Sequence, residues 1–141
     1  RIGSSAASDV YKRQILGTGT GGTLMGTGKY LKEKWPDIKI IAIEPAESPV
    51  MSGGEPGLHG IQGIGDGSKF LVDLDFVDEV HTIKTSTSES ASKHLAKKYG
   101  LFVGVSAGAN LYSSFDWLRK NNCKNAITII CDRGERYFSC L

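Results

Sequence analysis

The chain has 141 residues, of which 40% are hydrophobic and 23% are charged, and its formal net charge is +2. This composition is typical of a globular protein, and the length suffices for one domain with a buried core. The small net charge argues against nucleic acid or an anionic membrane surface as a partner, and no apolar run approaches the ~20 residues of a membrane span.

Cysteines and histidines are few. The three cysteines are odd in number and lack CxxC spacing: Cys123, Cys131 and Cys140. This usage predicts reduced thiols in a cytoplasmic protein. The three histidines show no metal-ligand spacing, so we expect no metal site.

The first fourteen residues differ from the rest, because they are polar and show no periodicity. The string from Ser4 to Arg13 resembles a translated sequencing adapter. We therefore expect a non-native or disordered leader over residues 1–14 and a folded domain over residues 15–141.

The folded part begins with alternating strand and helix patterns. A short apolar strand, Ile15–Leu16, precedes the glycine-rich stretch Gly17–Thr23, and a helix is predicted over Gly22–Lys34. The next strand, Lys39–Glu44, is nearly apolar throughout, which is typical of a parallel sheet covered on both faces.

A long glycine-rich loop, Ala46–Phe70, separates this strand from another within Phe76–Ile83. Loops of this length inside a domain are usually functional. Ser86 to Glu89 has the pattern of a capping box and predicts a helix to Tyr99, with Gly100 as its C-cap.

The last third adds a short apolar segment over Leu101–Val105, a helix from Ser106 to Asn122 and a buried strand over Ala126–Cys131. This alternation predicts an α/β fold with a mostly parallel sheet flanked by helices. The glycine stretch, Ser106 and Asp132 each follow a predicted strand, so we expect them to converge on one crevice.

The stretch Gly17–Thr23 contains four glycines and three threonines. Glycine permits φ > 0 and close approach of the backbone to a ligand. The free N–H groups and the dipole of the following helix favour an anion, and the hydroxyls of Thr18, Thr20 and Thr23 add donors. The sequence therefore predicts a phosphate loop.

Two kinds of phosphate remain open at this stage. Gly17, Gly19 and Gly22 match the GxGxxG fingerprint of dinucleotide-binding folds, and Glu44 lies near the position of their ribose-binding acid, which suggests an NAD-dependent oxidoreductase. The threonines instead favour a phosphate monoester, whose three oxygens accept from many donors. A non-catalytic module that keeps a phosphate pocket and binds a partner is a third hypothesis.

Five motifs in one order narrow these alternatives. They are Gly17–Thr23, Ala42–Pro45, His59–Gly65, Gly104–Ala109 and Cys131–Tyr137. Together they resemble the C-terminal half of the cysteine synthase (O-acetylserine sulfhydrylase) family, which belongs with cystathionine β-synthase among the fold-type II pyridoxal-phosphate enzymes. The resemblance runs from Ile15 to about Tyr137 and implies the large domain that binds pyridoxal 5′-phosphate, here incomplete.

The resemblance also implies roles for individual residues. The family's phosphate loop corresponds to Gly19, Thr20, Gly21, Gly22 and Thr23. Ser106 matches the serine that hydrogen-bonds the pyridine nitrogen, although a simple helix N-cap is the alternative interpretation. The loop on the substrate side corresponds to Gln62, Gly63 and Gly65. The charged turn Asp132–Tyr137 is structural or lines the site.

The activity implied is a β-replacement that forms L-cysteine from O-acetylserine and sulfide, with a cystathionine β-synthase-like reaction as the alternative. The intact enzyme would be a cytoplasmic homodimer acting on small molecules. In the family, the Schiff-base lysine and the asparagine loop for the substrate lie upstream of the position of Ile15. We therefore predict no catalytic residue within this chain, and expect the fragment alone to be inactive.

Overall fold

Three parallel strands form the centre of the structure, a computed structural model that describes residues 13–138. The elements in chain order are β1 (Arg13–Gly17), α1 (Gly22–Lys34), β2 (Lys39–Pro45), β3 (Glu79–Ile83), α2 (Thr85–Tyr99), α3 (Val105–Lys120) and a short 3-10 helix (Gly134–Tyr137). The sheet order is β1-β2-β3. The predicted α/β class with a parallel sheet is confirmed.

Alternate residues of β1 and β2 are buried on opposite faces of the sheet, as the period of a strand requires. Ile15 and Ile41 pack with residues of α3, including Trp117. Leu16 and Ile40 pack on the other face with residues that include Leu24 of α1. Because both faces are covered, the apolar run of β2 is buried throughout Ile40–Ile43, as we expected.

Helix α1 has the predicted bounds, but β3 begins three residues later than the predicted Phe76. The N–H groups of Phe76 and Val77 both donate to the carbonyl of Asp73, at 3.1 and 3.2 Å. Asp73 and its neighbours therefore form a turn, and the backbone of Phe76 and Val77 bonds to that turn instead of to a neighbouring strand.

The predicted capping box at Ser86 to Glu89 is wrong. Helix α2 begins at Thr85, its N-cap is Lys84, and no side chain of the cap bonds to the helix. The Thr85 N–H donates instead to the carboxylate of Glu47 in the long loop, at 2.9 Å. A distant acid thus occupies this helix start, a long-range contact that local spacing cannot indicate. Gly100 ends the helix in the left-handed conformation, as predicted.

The predicted buried strand over residues 126–131 is also wrong. Only Ile127 forms a bridge to Gln14, although this segment runs parallel to β1 along its free edge. Ile129 and Ile130 are 38% and 48% exposed. The segment has β1 on one side and no described strand on the other, so its apolar residues are only partly covered.

Strand β1 begins at Arg13, so Arg13 and Gln14 belong to the sheet and not to the predicted leader. The Gln14 side chain is buried and donates to the hydroxyl of Thr27 on α1. The rest of the predicted leader, residues 1–12, lies outside the described residues. The boundary near residue 15 otherwise stays a prediction.

Within residues 13–138, no helix is both long enough and apolar enough to cross a membrane. Cys123 and Cys131 carry free thiols, and Cys140 lies outside the described residues. Across this described range, no three His, Cys, Asp or Glu side chains come close enough together to hold a metal ion.

The contact between α2 and α3 depends on a glycine. A Cβ added at Gly108 would lie 2.4 Å from the Ser88 carbonyl oxygen and 2.9 Å from the Ser92 nitrogen, both backbone atoms. We expect Gly108→Ala to lower the free energy of unfolding by about 1–3 kcal/mol because the two helices must move apart. Urea unfolding of the full chain measures this change.

Gly26→Ala is the matched control, because a Cβ at this helical glycine of α1 meets nothing within 4 Å. It should raise the free energy of unfolding by up to about 1 kcal/mol through helix propensity alone. An equal gain from Gly108→Ala would contradict the close packing of the two helices.

Candidate functional site

A cleft of about 680 Å³ opens where β1 ends and α1 and α3 begin. Its walls include the glycine-rich stretch, the 62–66 loop, the first turns of α3 and the 129–137 segment. The glycine stretch, Ser106 and Asp132 all line it, so the predicted convergence on one crevice is confirmed.

The N-terminus of α1 is open toward this cleft. Gly21 is its N-cap, with φ +86°, a left-handed conformation that glycine adopts without strain. No side chain caps this end and the first turn holds no acidic residue. The first helical hydrogen bond joins the Met25 N–H to the Gly21 carbonyl, so the amides of Gly22 and Thr23 have no acceptor within the helix. This end can bind an anion.

Neighbouring loops hold the glycine stretch by its carbonyl groups. The Gly65 N–H donates to the Thr18 carbonyl at 2.9 Å, and the Leu71 N–H donates to the Thr20 carbonyl at 3.0 Å. A Cβ at Gly19 would lie 2.7 Å from the Gly63 carbonyl oxygen, so only glycine allows this approach. The loop is therefore fixed from behind.

Of the three threonines proposed as donors, Thr18 already donates within the fold. Its side chain is buried, and its hydroxyl and N–H both donate to the Ile43 carbonyl, at 3.0 and 3.1 Å. Thr18 thus joins the loop to the end of β2. Thr20 and Thr23 are exposed and line the cleft, so they remain available as donors.

Ser106 lies in the first turn of α3, is 4% exposed and lines the cleft. The N-cap of this helix is Gly104, so the interpretation of Ser106 as a simple N-cap is wrong. The Cys131 thiol lies in the same cleft wall, and Ser106 acts to lower the pKa of that thiol. A buried hydroxyl at this wall can also bond an atom of a ligand.

The three residues predicted for the substrate side separate in the structure. Gln62 and Gly63 line the cleft, whereas Gly65 is absent from its walls. A Cβ at Gly65 would lie 2.5 Å from the Pro45 ring, and the His59 Nε2 is 2.8 Å from the Gly65 carbonyl oxygen. Gly65 therefore packs the loop against the end of β2, and its place on the substrate side stays a prediction.

Asn110 is a cleft residue that the sequence analysis missed. It is 1% exposed and lies one turn after Ser106 on α3. Its Oδ1 accepts the Gly17 N–H at 2.7 Å, and its Nδ2 donates to the Ile129 carbonyl at 2.8 Å. A polar residue four positions after Ser106 in a predicted helix was the available signal, because such residues share a face.

Glu44 does not take the place of a ribose-binding acid. It is 1% exposed and its carboxylate accepts the Met51 N–H at 2.7 Å and the Ser52 N–H at 3.1 Å. The cleft walls do not include it. Glu44 fixes the start of the long loop. The dinucleotide-binding hypothesis therefore lacks the acidic residue that would bind the ribose.

Two ionisable groups in the 131–137 wall of the cleft, the Tyr137 hydroxyl and the Cys131 thiol, have raised pKa values. The Tyr137 hydroxyl donates to the Asp132 carboxylate, and burial together with this bond raises the pKa of Tyr137 to about 12. Burial also raises the pKa of the Cys131 thiol, although Ser106 and Asn110 act to lower it. The charged side chains that line this part of the wall are those of Asp132 and Arg136.

The raised pKa of Tyr137 predicts a loss of stability in base. An unfolded tyrosine ionises near pH 10, so the contribution is complete below that pH and disappears as pH rises from about 10 to about 12. Tyr137→Phe should flatten the decline in unfolding free energy over this window. Tyr112→Phe, which removes a hydroxyl from the exposed side of α3, should leave the decline unchanged. Equal slopes for all three proteins would contradict the bond to Asp132.

The chain matches known proteins along most of its length. The family model described as pyridoxal-phosphate dependent enzyme matches residues 7–132. Cysteine synthase of Staphylococcus aureus is 40% identical over 129 residues, which are 89% of this chain and 41% of that protein. Cysteine synthase B of Campylobacter jejuni is 41% identical over 128 residues, again 89% of this chain and 42% of that protein.

A solved cysteine synthase (OASS) from Entamoeba histolytica has a TM-score of 0.89 and 37% identity, and covers 97% of this chain and 41% of that structure. The chain therefore spans about two fifths of the length of the relatives it matches. The hypothesis of an NAD-dependent oxidoreductase is wrong: with its family model matched over most of its length, the chain belongs to the pyridoxal-phosphate dependent enzymes.

Proposed function

We propose that this chain is the cofactor-holding part of a cysteine synthase, which forms L-cysteine from O-acetylserine and sulfide by β-replacement. One observation carries the proposal. The uncapped N-terminus of α1 and the buried Ser106 hydroxyl open into the same cleft. A ligand with a phosphate at one end and a ring nitrogen at the other matches this pair of groups.

The residues fit pyridoxal 5′-phosphate. The amides of Gly22 and Thr23 and the hydroxyls of Thr20 and Thr23 would hold the phosphate, because a dianion with three oxygens needs several donors. Ser106 would hydrogen-bond the pyridine nitrogen. When bound, the cofactor supplies the electron sink that lets a β-substituent leave. A serine leaves the ring less protonated than a carboxylate would, which suffices for that step.

The chain's own residues bind and orient. The glycine stretch fixes the phosphate, the α3 hydroxyl fixes the ring, and Gln62 with Gly63 borders the space where the substrate would lie. No lysine lines the cleft among residues 13–138. In the proposed enzyme, we expect the lysine that carries the cofactor to come from a segment other than residues 13–138.

A cystathionine-forming reaction is the second candidate. An O-acetylserine dependent cystathionine β-synthase from Helicobacter pylori is 34% identical, with a TM-score of 0.82 over 96% of this chain. The two reactions differ in the nucleophile, sulfide or a larger organic thiol. Product analysis with both nucleophiles distinguishes them.

We propose a cytoplasmic location for the enzyme, which agrees with the free thiols of Cys123 and Cys131. We also propose that the intact enzyme is a homodimer, which sedimentation of the full-length protein tests.

Thr23→Asp tests the phosphate end. A carboxylate in the first turn of α1 should stabilise the helix by about 0.3–1 kcal/mol, yet it should repel a bound phosphate. We expect the dissociation constant for pyridoxal phosphate to rise by about tenfold or more, while the unfolding free energy stays constant or rises. Fluorescence titration and urea unfolding of the full chain measure the two quantities.

Thr23→Asn is the neutral control and should weaken binding much less than Thr23→Asp does. If Thr23→Asp bound pyridoxal phosphate as tightly as the unchanged chain, the phosphate would not lie at the start of α1.

Ser106→Ala tests the ring end in the full-length enzyme that contains this chain. Loss of one hydrogen bond to the ring should lower the rate of cysteine formation by about tenfold. Ser113→Ala, which removes a buried hydroxyl without a hydrogen-bond partner from the same helix, should leave the rate unchanged. Equal rates of cysteine formation for the two variants would contradict a hydrogen bond between Ser106 and the ring.

A further inference from the structure

We propose that Asn110 is a positioning residue, which sets the separation between the glycine stretch and Ser106. It thereby favours a ligand that reaches from the N-terminus of α1 to Ser106 over one that binds only at the N-terminus of α1. The inference rests on the proposed function, because it takes the phosphate to lie at α1 and the ring nitrogen at Ser106.

The side chain of Asn110 joins two walls of the cleft. Its Oδ1 accepts the N–H of Gly17, where the glycine stretch begins, at 2.7 Å. Its Nδ2 donates to the carbonyl of Ile129 at 2.8 Å, and the same nitrogen lies 3.5 Å from the Cys131 sulfur. Both strong partners are backbone groups, so the amide fixes two backbone segments relative to α3.

The contact with the glycine stretch is tight. A Cβ at Gly17 would lie 2.9 Å from the Asn110 Oδ1 and 2.9 Å from a methyl carbon of Ile64. A side chain at position 17 would therefore push the loop away from α3. The absence of a Cβ and the buried amide opposite it together determine where the loop starts.

Ser106 and Asn110 belong to the same rigid element. They are four residues apart on α3, which places them on one face about 6 Å apart along the axis. Both are buried, and both line the cleft. The helix thus carries the ring-end hydroxyl and the anchor of the phosphate loop at a fixed spacing.

This spacing affects ligands differently according to their length. Inorganic phosphate needs only the N-terminus of α1, whose geometry is set by the helix itself. Pyridoxal phosphate must satisfy that end and Ser106 together. A displacement of the loop by about 1 Å would therefore weaken the longer ligand, because it would stretch the hydrogen bonds at one of its two ends.

The experiment compares two probes on the full chain, pyridoxal phosphate and inorganic phosphate. Asn110→Ala should raise the dissociation constant for pyridoxal phosphate by about tenfold or more, and should change that for inorganic phosphate far less. Ser113→Ala is the control on the same helix and should change neither constant. Circular dichroism checks that each variant is folded.

Asn110→Asp is a second variant, which tests the same role if Asn110→Ala fails to fold. It keeps the size of the side chain and the acceptor for Gly17, but it places a carboxylate oxygen against the Ile129 carbonyl. We expect the same selective loss of pyridoxal phosphate. The Gly17 amide should stay protected from hydrogen exchange in Asn110→Asp, which keeps its acceptor, and lose that protection in Asn110→Ala, a site-specific difference that a general loss of stability would not produce.

Equal weakening of both probes, or of neither, would overturn the role of Asn110 while the proposed function stands. If the unchanged chain bound inorganic phosphate but not pyridoxal phosphate, the proposed function would fail and the inference with it. A selective loss in either Asn110 variant supports the inference.

Discussion

The free N–H groups at the start of α1 are the constraint around which the cleft is built. Four orphan donors at a helix end need partners, and here no side chain supplies them. The left-handed Gly21 turns the chain into the helix without a capping side chain. The carbonyls of Thr18 and Thr20 are bound from behind, so the loop stays rigid while its N–H side faces the cleft. The fold thus leaves one helix end to a ligand.

Helix α3 also begins at this cleft, but the Asp132 carboxylate already lies at the positive end of its dipole. A Cβ at Gly104, the N-cap of α3, would overlap an oxygen of Asp132, so this carboxylate lies directly against the start of α3. The helix dipole there offsets the charge of a carboxylate oxygen that has no hydrogen-bond partner. Of the two helix ends, α1 is therefore the one that can take a dianion. The cofactor orientation proposed above follows from this asymmetry.

Much of this arrangement is predictable from sequence. The period of apolar residues and the glycine spacing identified α1 and β2 almost to the residue, because local propensity and packing agree there. Local patterns failed where a distant partner decides the structure. Glu47 occupies the start of α2, Glu44 holds the long loop, and the Thr18 hydroxyl bonds to β2. Each is a polar residue whose partner only the tertiary fold brings near.

Asn110 shows why the site itself is harder to predict than the fold. Its amide bonds to backbone groups of two adjacent segments, Gly17 at the end of β1 and Ile129 beside it, and only the tertiary fold brings these groups to α3. An apolar residue of similar size would leave the Gly17 N–H and the Ile129 carbonyl without this partner, which costs free energy in a buried place. Because the buried Asn110 side chain ties Gly17 to α3, this helix determines the distance between the glycine stretch and Ser106.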